Sequence, residues 1–253
     1  MILSVNAGNT NIRAAVGANG KMIKEAKFAT KDLVTEADFI NFAQTSFGDN
    51  IWKELSGGII SSVVPVKTRL IAGPFTAKTG KNPKRVNSKN CLPLLDTAHY
   101  GGNLGEDRAA CCAGALKKYG APFVLIDFGT AVSVNMVDKG GTFKGGAILL
   151  GVNTFLKAIS ENTAQLPKLE IRNKINVIGK NTEENILSGA VCALAFAAAG
   201  YIETAKKEFG NDTSVIITGG QAEDVLPYCE FKNIFDPGIL LEGLFALYDG
   251  GIK

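Results

Sequence analysis

Ile126-Asp127-Phe128-Gly129-Thr130-Ala131 repeats, with changes, a pattern already present at Val5-Asn6-Ala7-Gly8-Asn9-Thr10. In each copy two apolar, strand-like runs flank a tight turn carrying Gly, a small hydroxyl and a polar residue. Ile2 to Val5 leads to Ile12 to Val16, and Phe123 to Ile126 leads to Val132 to Val137. Each copy reads as a β-hairpin, and the recurrence points to a duplicated α/β architecture. Gly8 and Gly129 let backbone approach a phosphate closely, while the hydroxyls of Thr10 and Thr130 can donate to its oxygens. Two such turns facing each other can hold a nucleotide's phosphates. The copies differ in one group: Asp127 is a carboxylate, suited to a metal ion or its water shell, where the counterpart Asn6 is a neutral amide.

Composition narrows the partners. A chain of 253 residues allows one large domain or two of ordinary size, and 46% hydrophobic residues are ample for a buried core. The repeated pattern favours two lobes, expected at residues 1–117 and 118–253. Net charge is +3 and no basic run interleaves with aromatics, so the expected partner is a small molecule and not a nucleic acid. The five cysteines, at 91, 111, 112, 192 and 229, form no C-x-x-C pair and lack zinc-site spacing. They read as reduced thiols of a cytoplasmic protein. Met1-Ile2-Leu3 passes directly into strand patterning, without the charged and apolar regions of a leader. The Ala-rich run from Ala190 to Gly200 is helical in period and shorter than a bilayer needs, so a buried core helix is expected and no membrane span.

Along the chain, a polar connection around Gly17 to Met22 precedes a helix from about Ala37 to Phe47, capped by Thr35 or Asp38. Gly58 to Val64 reads as a buried strand stopped by Pro65. A helix over Val66 to Gly73 and a strand near Arg85-Val86 complete a first α/β lobe. A loop with Pro93, His99-Tyr100 and Gly101-Gly102-Asn103 leads to a small-residue helix over Ala109 to Tyr119. Further helices are expected at Asn153 to Glu161, Thr182 to Lys206 and Gly238 to Tyr248, with a buried strand at Val215 to Thr218 ending in Gly219-Gly220.

Several side chains are candidates for chemistry. Arg13 follows the first turn closely enough to offset phosphate charge, or is a solvated strand residue. Gly219 and Gly220 can admit a flat adenine against backbone, though a Thr-Gly-Gly turn is often only a turn. Gly105-Glu106-Asp107-Arg108 lies at a helix N-terminus, where free N–H groups favour negative charge. A hydroxyl nucleophile attacking a γ-phosphoryl needs a nearby carboxylate, and an Arg can fix a substrate's carboxylate or amide; Asp107 and Arg108 fit those roles. The alternative is an acidic helix start with an Arg ion pair. His99 is the only histidine, which leaves no room for a multi-His site, and Tyr100 beside it offers a stacking or hydrogen-bonding surface.

These residues fall in an ordered series: Gly8-Asn9-Thr10, Ser61-Ser62-Val63-Val64-Pro65, Tyr100, Gly105 to Arg108, Ile126 to Ala131, Gly145-Gly146-Ala147-Ile148, Thr163 to Pro167, Gly179-Lys180-Asn181-Thr182 and Thr218-Gly219-Gly220. The series covers nearly the whole length and resembles the type III pantothenate kinases, of the acetate and sugar kinase, Hsp70 and actin superfamily. The resemblance implies a duplicated ribonuclease-H-like fold with two lobes of mixed sheet flanked by helices. It implies ATP-dependent phosphorylation of pantothenate to 4'-phosphopantothenate, the first step of coenzyme A synthesis.

By the same resemblance, Asn6, Gly8, Asn9, Thr10 and Arg13 belong to the ATP phosphate loop, with Thr130 and Gly219 on the nucleotide from the second half. Asp107 is then the proton acceptor, and Tyr100, Gly105, Glu106, Asp107 and Arg108 line the pantothenate site. Asp127 would bind the monovalent cation, potassium or ammonium, with magnesium accompanying ATP. Thr182 would reach pantothenate from the neighbouring subunit of a dimer. The chain departs from the family at Asn6, where Asp is usual, at Leu150, where Pro is usual, and at Arg13, where Lys is common. Asn6 supports an alternative of another class: a catalytically weakened kinase-like subunit needing a related partner, in a heterodimer instead of a homodimer; a regulatory relative of the fold is a third reading, by fold-level analogy alone.

Overall fold

The computed structural model describes residues 1–87, 91, 94–101, 104–163 and 165–250. Pro93, Gly102, Asn103 and Ala164, named above in loops and motifs, lie outside the described residues. In chain order the elements are β1 (Ile2–Ala7), β2 (Asn11–Ala18), β3 (Lys21–Ala29), α1 (Glu36–Phe47), α2 (Ile51–Glu54), β4 (Gly57–Ser62), α3 (Pro65–Thr79), β5 (Lys84–Arg85) and α4 (Glu106–Tyr119). Then follow β6 (Phe123–Phe128), β7 (Ala131–Val137), β8 (Phe143–Leu150), α5 (Val152–Asn162), α6 (Thr182–Phe209), β9 (Ser214–Thr218), α7 (Ala222–Val225), β10 (Ile234–Phe235) and α8 (Ile239–Asp249).

The chain divides into two compact units. The first contains residues 1–120, 141–143 and 238 onward; the second contains 121–140 and 144–237. This differs from a single division after residue 117 in the placement of 118–120, of 141–143 and of the stretch from 238 that holds α8. The physical reason for α8 is its apolar character: Ile239, Leu240, Leu241, Leu244, Phe245 and Leu247 are all buried, and the helix packs against α4 and β1. Gly114 of α4 and Gly243 of α8 permit that packing, because a Cβ at Gly243 would stand 1.9 Å from the Ala110 carbonyl oxygen.

The first unit carries a five-stranded sheet in the order β3-β2-β1-β4-β5. β1 and β2 form the expected antiparallel hairpin, and β1 pairs in parallel with β4. β3 was not expected as a strand, and its composition explains why. It is an edge strand carrying Lys21, Lys24, Glu25 and Lys27, mostly exposed, and charged edges resist further pairing while hiding the apolar alternation that identifies strands. Beneath the sheet, Leu3, Val5 and Ile12 pack with Phe39, Trp52 and Phe75. Burying each such side chain contributes about 1.5–3 kcal/mol.

Local signals hold α1 in place. Thr35 Oγ1 accepts from the Asp38 backbone N–H while the Asp38 carboxylate accepts from the Thr35 N–H, a reciprocal cap of the helix start. These hydrogen bonds also lower the Asp38 pKa below the ordinary carboxylate range. α3 runs to Thr79, six residues beyond the expected stop at Gly73, with Pro74 buried inside it. Downstream of Pro74, the Thr76 and Thr79 hydroxyls bond the Ala72 and Phe75 carbonyls, and Gly80 in the left-handed region closes the helix.

The second unit repeats the plan of the first. Its sheet runs β10-β9-β6-β7-β8, so β6 has an antiparallel hairpin partner in β7 and a parallel partner in β9, as β1 has in β2 and β4. Its core joins Val124, Ile126 and Phe128 to Val191, Leu194 and Ile202 of α6. The apolar run expected at Ala190 to Gly200 is part of a 28-residue helix, which length and composition alone would let cross a bilayer. One face of it, with Ala190, Val191, Leu194, Ala195 and Ala198, packs on the sheet, while 39% of the apolar window is buried in all; Glu183, Glu184, Lys206 and Lys207 mark its ends.

Candidate active site

In the first unit the β1–β2 turn is closed by the Gly8 N–H donating to the Asn11 carbonyl at 3.0 Å. Thr30 straps it from outside: its hydroxyl donates to the Gly8 carbonyl at 2.7 Å, and its N–H to the Thr10 carbonyl at 2.9 Å. Asn9 and Thr10 stay exposed at the tip. Asn6, by contrast, is buried. It lies opposite Arg13 on β2 and Ser61 on β4, and the Ser61 hydroxyl donates to its Oδ1 at 2.8 Å. The Arg13 guanidinium pairs with Glu25 of β3 at 2.6 Å in this structure.

The N-terminus of α4 lies in the same unit, with Gly105 at the cap and Glu106 and Asp107 in the first turn. The Glu106 carboxylate accepts from the Ser62 N–H at the end of β4 (2.7 Å) and from Arg85 (3.1 Å), and so ties the helix start to β4 and β5. Burial raises its pKa above the ordinary carboxylate range, against the opposing pull of the Ser62 and Arg85 hydrogen bonds. Asp107, half-buried, accepts from the Arg108 N–H at 2.8 Å. Arg108 Nη1 donates to the Tyr100 hydroxyl at 3.3 Å, and its guanidinium carbon lies 5.4 Å from the centre of the Phe143 ring.

In the second unit Asp127 lies opposite Ser133 and Thr218, and is partly buried. Gly219 is held at φ 104° against it: a Cβ there would meet Asp127 Oδ1 and the Phe128 nitrogen at 2.5 Å. Only glycine combines that backbone conformation with that approach. The Thr130 carbonyl accepts from the Gly151 N–H (3.1 Å) and the Thr154 hydroxyl (2.6 Å), which fastens the β6–β7 turn to the start of α5. Thr182 opens α6, exposed, behind an Asn181 cap on the Glu184 N–H.

The chain that carries these turns and this helix start is similar to known proteins over nearly its whole length. The model of the family "Type III pantothenate kinase" matches residues 2–204. The chain belongs to that family. It is 32% identical over 250 residues to the type III pantothenate kinase of Persephonella marina, with 98% of each chain covered. To that of Fervidobacterium nodosum it is 30% identical over 250 residues, covering 98% of this chain and 97% of the relative. Among solved structures it is similar to component A of the (R)-2-hydroxyglutaryl-CoA dehydratase of Acidaminococcus fermentans, with a TM-score of 0.57, 13% identity and coverage of 98% and 96%. It also resembles the ROK family glucokinase of Streptomyces griseus, with a TM-score of 0.50, 13% identity and 98% of both chains covered. The fold is therefore that of the actin-like ATPases and sugar kinases, and the duplicated sheet order agrees with it.

For a type III pantothenate kinase the cation question turns on donor chemistry. Among the described residues no three His, Cys, Asp or Glu side chains cluster as a metal site. A single partly buried carboxylate, as at Asp127, suits a hard cation that shares its shell with water or with substrate phosphates. The Asn6 oxygen adds no charge and already accepts from Ser61.

Two contributors to the site escaped the sequence reading. Ser61 was visible only within a motif, and its contact with Asn6 follows from the β1–β4 register. Phe143 gave no local signal, since its neighbours Tyr100 and Arg108 are 43 and 35 positions away in the chain.

Proposed function

We infer that the protein transfers the γ-phosphoryl group of ATP to the primary hydroxyl of pantothenate, the first step of coenzyme A synthesis. The observation that carries this reading is the start of α4, which sets Asp107 and Arg108 side by side in a chain whose full-length relatives are type III pantothenate kinases. Asp107 accepts the proton of the attacking hydroxyl as the new O–P bond forms and ADP leaves. Arg108, with Tyr100, holds the substrate's carboxylate, and Gly105 and Glu106 shape the same pocket. Asn6, Gly8, Asn9, Thr10 and Arg13 serve as triphosphate-binding residues, and Thr130 and Gly219 as nucleotide-binding residues. Asp127 holds a monovalent cation, and the magnesium ion arrives on ATP.

The test is a coupled assay of purified protein with ATP, magnesium, potassium and pantothenate, alongside Asp107→Asn. Turnover is expected, reduced about 10²–10⁴-fold in the variant. No turnover by folded protein would overturn the reading. The reading of a weakened subunit needing a partner is not favoured, because the relatives that span this chain are themselves named as kinases.

We further propose a cytoplasmic homodimer in which Thr182 reaches the neighbour's pantothenate. The second unit supports this by leaving Ile148, Leu150, Ile178 and Phe196 exposed, apolar surface that association can cover. Phe196→Glu should give a monomer in light scattering; an unchanged dimer would place the interface elsewhere.

A further inference from the structure

An arginine side chain is long, and a guanidinium left to its own rotamers discriminates poorly between a carboxylate and a neutral group. In the first unit Arg108 is held from two sides. Asp96 organises both. Its Oδ1 accepts from the Ala98 N–H at 2.9 Å, opening the short helical turn that ends in Tyr100, and its carbonyl accepts from the Phe143 N–H at 2.8 Å. A bridge between Asp96 and Thr142 completes the link. The fully buried Phe143 ring meets Tyr100 edge-on, with centroids 4.8 Å apart at 89°. The Arg108 guanidinium carbon lies 5.7 Å from the Tyr100 ring centre and 5.4 Å from that of Phe143. Both distances are within the range at which a ring face attracts a cation.

We propose that Phe143 is a specificity-positioning residue: with Tyr100 it fixes the Arg108 guanidinium, and so sets the preference of the enzyme for an acceptor ending in a carboxylate over its neutral analogue. The proposal rests on the reading that Arg108 meets the substrate carboxylate. Phe143 itself touches the arginine and not the reacting atoms. Its action is on ground-state selection, and therefore on KM for the acid.

The experiment compares pantothenate with panthenol, in which a CH2OH group replaces the carboxylate, across four proteins: the parent, Arg108→Ala, Phe143→Leu, and a form with pentafluorophenylalanine at position 143. The fluorinated ring keeps the shape of Phe and reverses its quadrupole, so it decides the matter even where Phe143→Leu folds poorly. Both position-143 forms should raise KM for pantothenate about 2- to 30-fold, leaving KM for ATP and for panthenol in place. Arg108→Ala should abolish the preference for the acid. If Arg108→Ala abolishes it and both position-143 forms retain it, the role of Phe143 is overturned. If Arg108→Ala leaves the preference intact, the carboxylate reading fails first, and the proposal with it.

Discussion

Asn6 and Asp127 are each the fifth residue of a six-residue strand, each with an antiparallel neighbour on one side and a parallel neighbour on the other. Their parallel partners, Ser61 and Thr218, are both hydroxyl residues. Yet Asn6 is buried and accepts from Ser61, while Asp127 is only partly buried, beside a glycine turn. An amide is buried cheaply once it has a partner, whereas a buried carboxylate needs a counter-charge. The duplicated frame thus offers two equivalent places beside Gly turns, and the carboxylate stands at the less buried one.

The sharpest way to break this asymmetry is Asp127→Asn, which makes both turns neutral. It should lower kcat about 10²–10³-fold, read as turnover at saturating ATP and potassium. The opposite change, Asn6→Asp, makes both turns acidic. Turnover should rise by up to about 10² while the melting temperature falls, because the new carboxylate is buried beside Ser61; a rise in both quantities would mean that a cation already compensates that position. Ser61→Ala leaves the amide oxygen of Asn6 without its hydroxyl donor. Thermal or urea unfolding should show a loss of about 1–3 kcal/mol, more than the same test reads for Thr218→Val, whose neighbour Asp127 keeps access to water.

The smallest expected effect is a pair of opposite pH slopes. Burial raises the Glu106 pKa, so its contribution to stability is present below the ordinary carboxylate range and is lost as pH rises through the raised value. Glu184 in the first turn of α6 has its pKa lowered, chiefly by the Lys180 N–H, so its contribution is present above that range and is lost as pH falls through the lowered value. Denaturant titrations over the acid range should show the first slope vanish in Glu106→Gln and the second in Glu184→Gln. An unchanged slope in either variant would assign the titration to another group.

Features encoded within a few residues were legible before the structure. The two hairpins follow from apolar runs around Gly turns, and the α1 cap follows from Thr35 and Asp38 three positions apart. The early stop assigned to α3 illustrates the limit of local rules. Gly73-Pro74 breaks helices in isolation, but here Pro74 is buried within a helix that tertiary packing sustains. The edge strand β3 was missed because its charges face water on both sides. The Arg108 clamp was missed for another reason: Phe143 and Tyr100 meet only because Asp96 pairs with the 142–143 backbone, and no pattern in either segment encodes the other.

The chain enters and leaves the first unit more than once: it departs after residue 120, returns for 141–143, and comes back finally at 238. No single cut therefore releases that unit whole. A fragment ending at 120 would lack both the Phe143 side of the arginine clamp and α8, baring the small-residue face of α4. Expression of the halves as independent modules should fail for the amino-terminal piece, and nicked protein should hold together through helix packing until denaturant frees it. Two similar sheets are thus wound on a chain in which the first unit is assembled from three separate stretches.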